Sequence, residues 1–140
     1  MQLVDFLGEW QFDREIDDRM LLGVGIGKGQ ARFALSGAVV AYDETSKMAF
    51  AGAPPFKGTR RYLWQADDRG VAVLFADGRD FHRLDLVAGT ATAAHWCDPD
   101  QYDVTYDFSD WPRWSSRWQV RGPRKDYTME TRYQRKTGTP

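Results

Sequence analysis

The sequence predicts an all-β protein, an antiparallel up-and-down β-barrel of about nine or ten short strands opened by a short N-terminal helical turn. Segments of apolar and polar alternation recur at roughly 8–12-residue spacing, the pattern of strands with one buried face. Turn chemistry bounds them, as at Asp77-Gly78, Asp98-Pro99-Asp100 and Gly122-Pro123. No stretch carries the 3.6-residue period of a long helix. Eight phenylalanines, six tryptophans and six tyrosines among 140 residues supply bulky side chains for a small interior.

Length and composition fit one domain, 1–135, with residues 136–140 as a disordered tail. A net charge of −1 leaves no electrostatic footprint for nucleic acid or an anionic membrane. The single cysteine, Cys97, excludes an internal disulfide framework and fits a reducing compartment. Met1 to Leu7 lacks the basic and apolar regions of a secretion signal, and no apolar run is long enough for a membrane helix. The expected location is the cytoplasm.

Taken in order, Leu3, Val4, Phe6 and Leu7 make one helical turn that closes an end of the fold. Gly8 to Ile16 alternates, with Trp10, Phe12, Arg14 and Ile16 on one face and Glu9, Gln11, Asp13 and Glu15 on the other. Asp17 to Lys28 reads as a connection at the barrel mouth, because it is rich in glycine and charge. Gln30 to Leu35 is a strand with Ala31, Phe33 and Leu35 inward, followed by Ala38 to Glu44 with Val40, Tyr42 and Glu44 inward. Met48 to Ala51 is a separate short strand, broken by Gly52-Ala53-Pro54-Pro55. Thr59 to Gln65 then places Arg60, Tyr62 and Trp64 on one face.

The stretch from Val71 to Phe108 reads as four consecutive strands. Asp77-Gly78 is a hairpin signal, since both central residues of a type I′ turn need positive φ. It sets Val73 opposite His82 and Phe75 opposite Asp80, so Val73, Phe75, His82 and Leu84 share a face. Pairing about Pro99-Asp100 sets His95 beside Val104 and Ala93 beside Tyr106. A two-residue turn at Ala88-Gly89 keeps both apolar faces on the same side. It places His82 directly opposite His95, Cβ atoms roughly 4.5–5.5 Å apart. After the corner Ser109-Asp110-Trp111-Pro112, Trp114, Ser116, Trp118 and Val120 face inward. Beyond Gly122-Pro123, so do Tyr127, Met129, Thr131 and Tyr133.

Four motifs span most of this chain: FLGxW at Phe6 to Trp10, DGRxFH at Asp77 to His82, HxCDPDxYxVxY at His95 to Tyr106, and GPRKDY…TRYxR at Gly122 to Arg135. Together they resemble an uncharacterised bacterial domain family of lipocalin-like (calycin) size. The resemblance implies a calycin-type barrel in which Trp10 of the Gly8-x-Trp10 motif closes one end. It implies no activity.

On these faces Arg14, Arg60, Tyr62, His82, His95, Tyr102, Tyr106, Trp118 and Tyr133 converge on the interior and form the candidate ligand-binding set. A buried cation without a partner costs several kcal/mol, so the arginines need an anion. An arginine pair with tyrosine resembles the carboxylate clamp of intracellular fatty-acid-binding proteins, where a guanidinium fork holds a carboxylate. The alternative pairs Arg14 and Arg60 with Glu44 or Asp85 near the rim. The histidines admit three readings: core imidazoles bonded to tyrosines, ligand contacts, or metal ligands with Cys97. No motif for a haem ligand is present, and no cofactor or metal is expected. Cys97 lies beside Asp98, whose charge disfavours a reactive thiolate.

The function that follows is binding of a small molecule with a polar or anionic end inside the barrel. The alternative is a small enzyme, of isomerase or cyclase type or metal-assisted, using His82 and His95. On the outside, the same register aligns Leu74, Phe81 and Trp96 in an apolar row, which marks a homodimer face.

Overall fold

The structure is a computed structural model and describes residues 1–136. Of the expected tail, residues 137–140 lie outside the described residues. Lys136 is tied to the first strand through its amide, which donates to the Glu9 carbonyl.

A 3₁₀ turn at Leu3–Phe6 precedes ten strands: β1 Gly8–Asp18, β2 Gly23–Ser36, β3 Val39–Phe50, β4 Phe56–Asp67, β5 Gly70–Phe75, β6 Asp80–Leu84, β7 Thr90–Cys97, β8 Asp100–Asp107, β9 Trp114–Gly122 and β10 Lys125–Arg135. They form one antiparallel sheet in the order β6-β5-β4-β3-β2-β1-β10-β9-β8-β7. The sheet curls until its two edge strands, β6 and β7, approach each other without a ladder between them. The barrel is therefore all but closed, with one seam. The expected all-β meander with a short N-terminal turn is what the chain forms.

The meander alternates strand direction, so each end of the barrel collects one set of turns. At the closed end Phe6 is fully buried and its ring lies 4.7–5.8 Å from those of Phe33, Trp64, Phe108, Trp111 and Trp114. Trp10 closes this end as expected: its indole donates to the Phe6 carbonyl at 2.8 Å. The Arg135 guanidinium covers Trp10 at 4.0 Å and donates to the Leu7 and Asp5 carbonyls. Thus the first and last strands, hydrogen-bonded from Trp10–Arg135 to Asp18–Tyr127, are pinned where the chain begins.

Six local expectations are corrected. The segment 17–28 is an extended hairpin, paired with β1 from Gly8–Phe33 to Asp18–Gly23. Gly25, Gly27 and Gly29 face inward there, and Phe50, Met48 and Phe12 occupy the space a Cβ would need. Glycine carries no side chain to show the alternation, so this strand read as a loop. Leu35 lies outside, 69 % exposed, at the end of β2. Met48 continues β3 without a break, its inward face running through Tyr42, Glu44, Met48 and Phe50. The β7–β8 turn sits one residue earlier, at Asp98-Pro99, so the partners shift by two and His95 pairs with Tyr102 and Ala93 with Val104. A shift of two preserves the faces and changes only the partners.

The fifth correction bears on the site. Val73 pairs with His82 as expected, but Leu74 pairs with Asp80, so a bulge leaves Phe81 as the extra residue on β6. Phe81 and His82 consequently both point inward, at 7 % and 8 % exposure. The proposed outer row loses its centre: Phe81 is in the core while Trp96 stays 59 % exposed. The Ala88-Gly89 hairpin is also absent, and the Gly89 carbonyl accepts from the Phe108 amide. His82 and His95 therefore lie on the two unpaired seam strands, each ring edge-on to Phe81, with no ladder to set their register.

Candidate functional site

Between the aromatic plug and the open end lies a cavity of about 470 Å³, within the usual range for small-molecule sites. Strand alternation brings all nine sequence-predicted residues to its wall: Arg14, Arg60, Tyr62, His82, His95, Tyr102, Tyr106, Trp118 and Tyr133. Trp64, Phe75, Phe81, Trp114 and Tyr127 also line it and were not in that set. Inward alternation pointed to four of these. Phe81 had no signal, since a bulge does not change the local pattern of residues.

The inner floor is a self-contained polar network. Arg14 donates to both Glu44 carboxylate oxygens, at 2.7 and 3.0 Å, and through Nε to Thr131 Oγ1 at 2.8 Å. The Tyr42 hydroxyl lies 2.8 Å from both Glu44 and the Tyr133 hydroxyl. Burial alone would raise the Glu44 pKa, but the Arg14 hydrogen bonds and charge outweigh it and hold the carboxyl below its ordinary value. Asp85 takes no part; its carboxylate caps the Val87 amide. The guanidinium fork of Arg14 is thus filled by the protein's own carboxylate, and breaking such a buried pair typically costs about 3–5 kcal/mol.

The side wall is aromatic. Phe81 stacks on Phe75 at 4.4 Å and on Trp118 at 5.1 Å, so the bulged ring sits between β5 and β9. The His82 and His95 rings meet Phe81 edge-on at 4.6 and 5.2 Å. His82 Nε2 shares a 2.9 Å hydrogen bond with the Tyr106 hydroxyl. Burial, with a smaller push from the nearby His95, lowers the His82 pKa to about 3, so its imidazole is neutral at physiological pH. Among the described residues, His82 Nδ1 and Trp114 Nε1 are buried without a hydrogen-bond partner. Each such atom is costly, and both belong to the cavity wall.

At the mouth Arg60 donates to the Tyr62 hydroxyl at 3.2 Å. Lys125 reaches the Tyr102 hydroxyl at 3.0 Å and Asp100 at 3.3 Å, and Arg79 pairs with Asp77 at 2.7 Å. Among the described residues Arg60 is the cavity arginine with no carboxylate in ion-pair range. No group of three or more His, Cys, Asp or Glu side chains among the described residues is placed to hold a metal ion.

A model of a family of unknown function, DUF6314, matches residues 6–135. The chain belongs to the DUF6314 family. The expectation of an uncharacterised family with a lipocalin-like barrel is met at that level. No curated protein matches it. Among solved structures, the DUF6314 chain is similar to an S-type phycobiliprotein lyase from Guillardia theta, with a TM-score of 0.67 at 10 % identity, covering 99 % of this chain and 95 % of that one. It is also similar to a protein of unknown function from the DUF3598 family of Nostoc punctiforme, with a TM-score of 0.65 at 12 % identity, covering 97 % of this chain and 49 % of that one. At such identities the likeness of the DUF6314 chain to these proteins is one of fold. No helix among its described residues is long and apolar enough to cross a membrane.

Proposed function

We propose that this barrel binds a small, flat, mostly apolar molecule whose anionic end is held at the mouth by Arg60. The single observation that carries the reading is the roughly 470 Å³ aromatic cavity at whose entrance stands, among the described residues, the one cavity guanidinium with no carboxylate in ion-pair range. Tyr62, Tyr102 and Tyr127 place phenol groups on the same part of the wall, and Phe81, Trp118 and Phe75 offer ring faces for stacking. Arg14 contributes through structure, by holding Glu44, which moves the anion subsite from the floor to the rim. The fold shared with a phycobiliprotein lyase is compatible with a ligand-holding barrel.

The acid–base alternative has weaker support, because a histidine held near 3 is far from the near-neutral values that serve general catalysis. The test uses 8-anilinonaphthalene-1-sulfonate, an aromatic anion whose fluorescence rises in apolar sites, beside a neutral aromatic dye. Wild type binds the anion, and Arg60→Met weakens it by roughly 10–100-fold, the worth of one charge-assisted hydrogen-bonded contact, with little effect on the neutral dye. Equal losses for both dyes, or none for either, would remove Arg60 from the site.

A further inference from the structure

We infer that the anionic group taken at the mouth is a carboxylate, and that a phosphate monoester is disfavoured there. The inference rests on the reading that Arg60 holds the charged end of the ligand, and it turns on what the phenols around Arg60 can do. Arg60 Nη1 donates to the Tyr62 hydroxyl at 3.2 Å, and Lys125 Nζ donates to the Tyr102 hydroxyl at 3.0 Å. A guanidinium and an ammonium have no lone pair, so each phenol oxygen can only accept there. Each O–H proton is left to donate elsewhere, and neither meets an acceptor among the described residues. The Tyr127 hydroxyl has no hydrogen-bond partner among them either.

The sheet gathers these donors. Tyr102 pairs with Val120 and Val120 with Tyr127, so the two phenols flank one buried valine on the inward face. The strand order sets them across the lumen from Arg60 and Tyr62 on β4. Burial and the neighbouring Tyr102 raise the Tyr127 pKa, while Arg60 and Lys125 are near enough to pull against them, so Tyr127 stays a protonated donor at pH 7. Lys125 is itself fixed. It is in register with Gly122, where a Cβ would collide with Asp100 Oδ1. The missing side chain lets the Asp100 carboxylate cross to Lys125 at 3.3 Å. Neutralised in this way, Lys125 is a positioning residue that aims the Tyr102 O–H.

No acceptor stands ready beside them. Glu44 is engaged by Arg14 and Tyr42, Asp100 by Lys125 and Asp77 by Arg79. Asp80, the other carboxylate of the wall, lies beyond ion-pair range of Arg60. A carboxylate suits four donor groups and one cation: it carries one charge, no proton at neutral pH, and about four lone-pair sites on two oxygens. A phosphate monoester titrates near pH 6. Its protonated form brings an O–H that needs an acceptor, and its dianion brings a second charge for which no second unpaired cation is present.

Calorimetric titration at pH 7 with 2-naphthoate, 2-naphthyl phosphate and the neutral 2-acetylnaphthalene decides it. Wild type binds 2-naphthoate at least about tenfold more tightly than 2-naphthyl phosphate, the difference one unmatched hydrogen-bonding group makes. Tyr102→Phe and, separately, Tyr127→Phe weaken 2-naphthoate about tenfold, as loss of one hydrogen bond to a charged group does, and hardly change 2-acetylnaphthalene. Lys125→Met also weakens 2-naphthoate but adds nothing in the Tyr102→Phe background, which separates aiming the phenol from attracting the anion. Equal affinity for the carboxylate and the phosphate, or 2-naphthoate binding undiminished in both Tyr→Phe variants, overturns the inference. The role of Arg60 still stands in that case if Arg60→Met weakens both anions. If Arg60→Met weakens neither, the underlying reading falls as well.

Discussion

His82 shows how one buried side chain couples stability to pH. Its folded pKa is depressed to about 3 by burial and the neighbouring His95, while the unfolded value stays near 6.5. Below pH about 6.5 the unfolded chain takes up a proton that the folded one refuses, so the stabilisation present above that value drains away as pH falls towards 3. Between pH 7 and 5 the loss is on the order of 2 kcal/mol. This window lies above the titration of Glu44, whose lowered pKa keeps its contribution intact until more acidic conditions. Urea unfolding at pH 7 and pH 5 should show that loss in wild type and a flatter profile in His82→Gln. Equal slopes in the two proteins would mean that His82 is solvated and titrates normally.

At the scale of elements, β2 shows both what a sequence pattern reveals and what it hides. Its inward positions Gly25, Gly27 and Gly29 give up their side chains so that Phe12, Met48 and Phe50 can cross the interior. A Cβ on Gly27 would overlap the Lys47 carbonyl oxygen and the Met48 sulfur, and the carbonyl is backbone in the neighbouring strand. Gly27→Ala should therefore cost about 1–3 kcal/mol in denaturant unfolding. Gly58→Ala, whose Cβ would meet only Ser46 Oγ at 3.4 Å, should be neutral or stabilising by up to about 1 kcal/mol. Equal effects at the two positions would disprove the packing argument. The strands whose inward residues are large, such as β1 with Trp10, Phe12 and Arg14, were legible because period-two alternation is itself the signal. The bulge at Phe81 was not, since two consecutive inward residues look like an ordinary aromatic–histidine pair. The partner of Arg14 was narrowed to Glu44 or Asp85, and only the side-chain geometry, with both terminal guanidinium nitrogens on the Glu44 carboxylate, chose Glu44.

Over the whole molecule, one asymmetry follows from the order of strands. The closed side is continuous from β4 through β1 to β8, whereas β6 and β7 each pair on one edge and leave every second amide facing the seam. Phe81, His82 and His95 sit on those two strands, so part of the cavity wall is also the part with least backbone support. Local opening draws on such regions first. Hydrogen exchange followed by mass spectrometry should find peptides covering 80–84 and 90–97 exchanging well before those covering 8–18 and 125–135. Saturating the barrel with 8-anilinonaphthalene-1-sulfonate should slow the first pair and leave the second almost unchanged, because the dye holds Phe81 and His95 between its ring and the wall. Uniform exchange across all four segments would show that the seam is sealed. The cavity would then fill and empty only through the Arg60 rim.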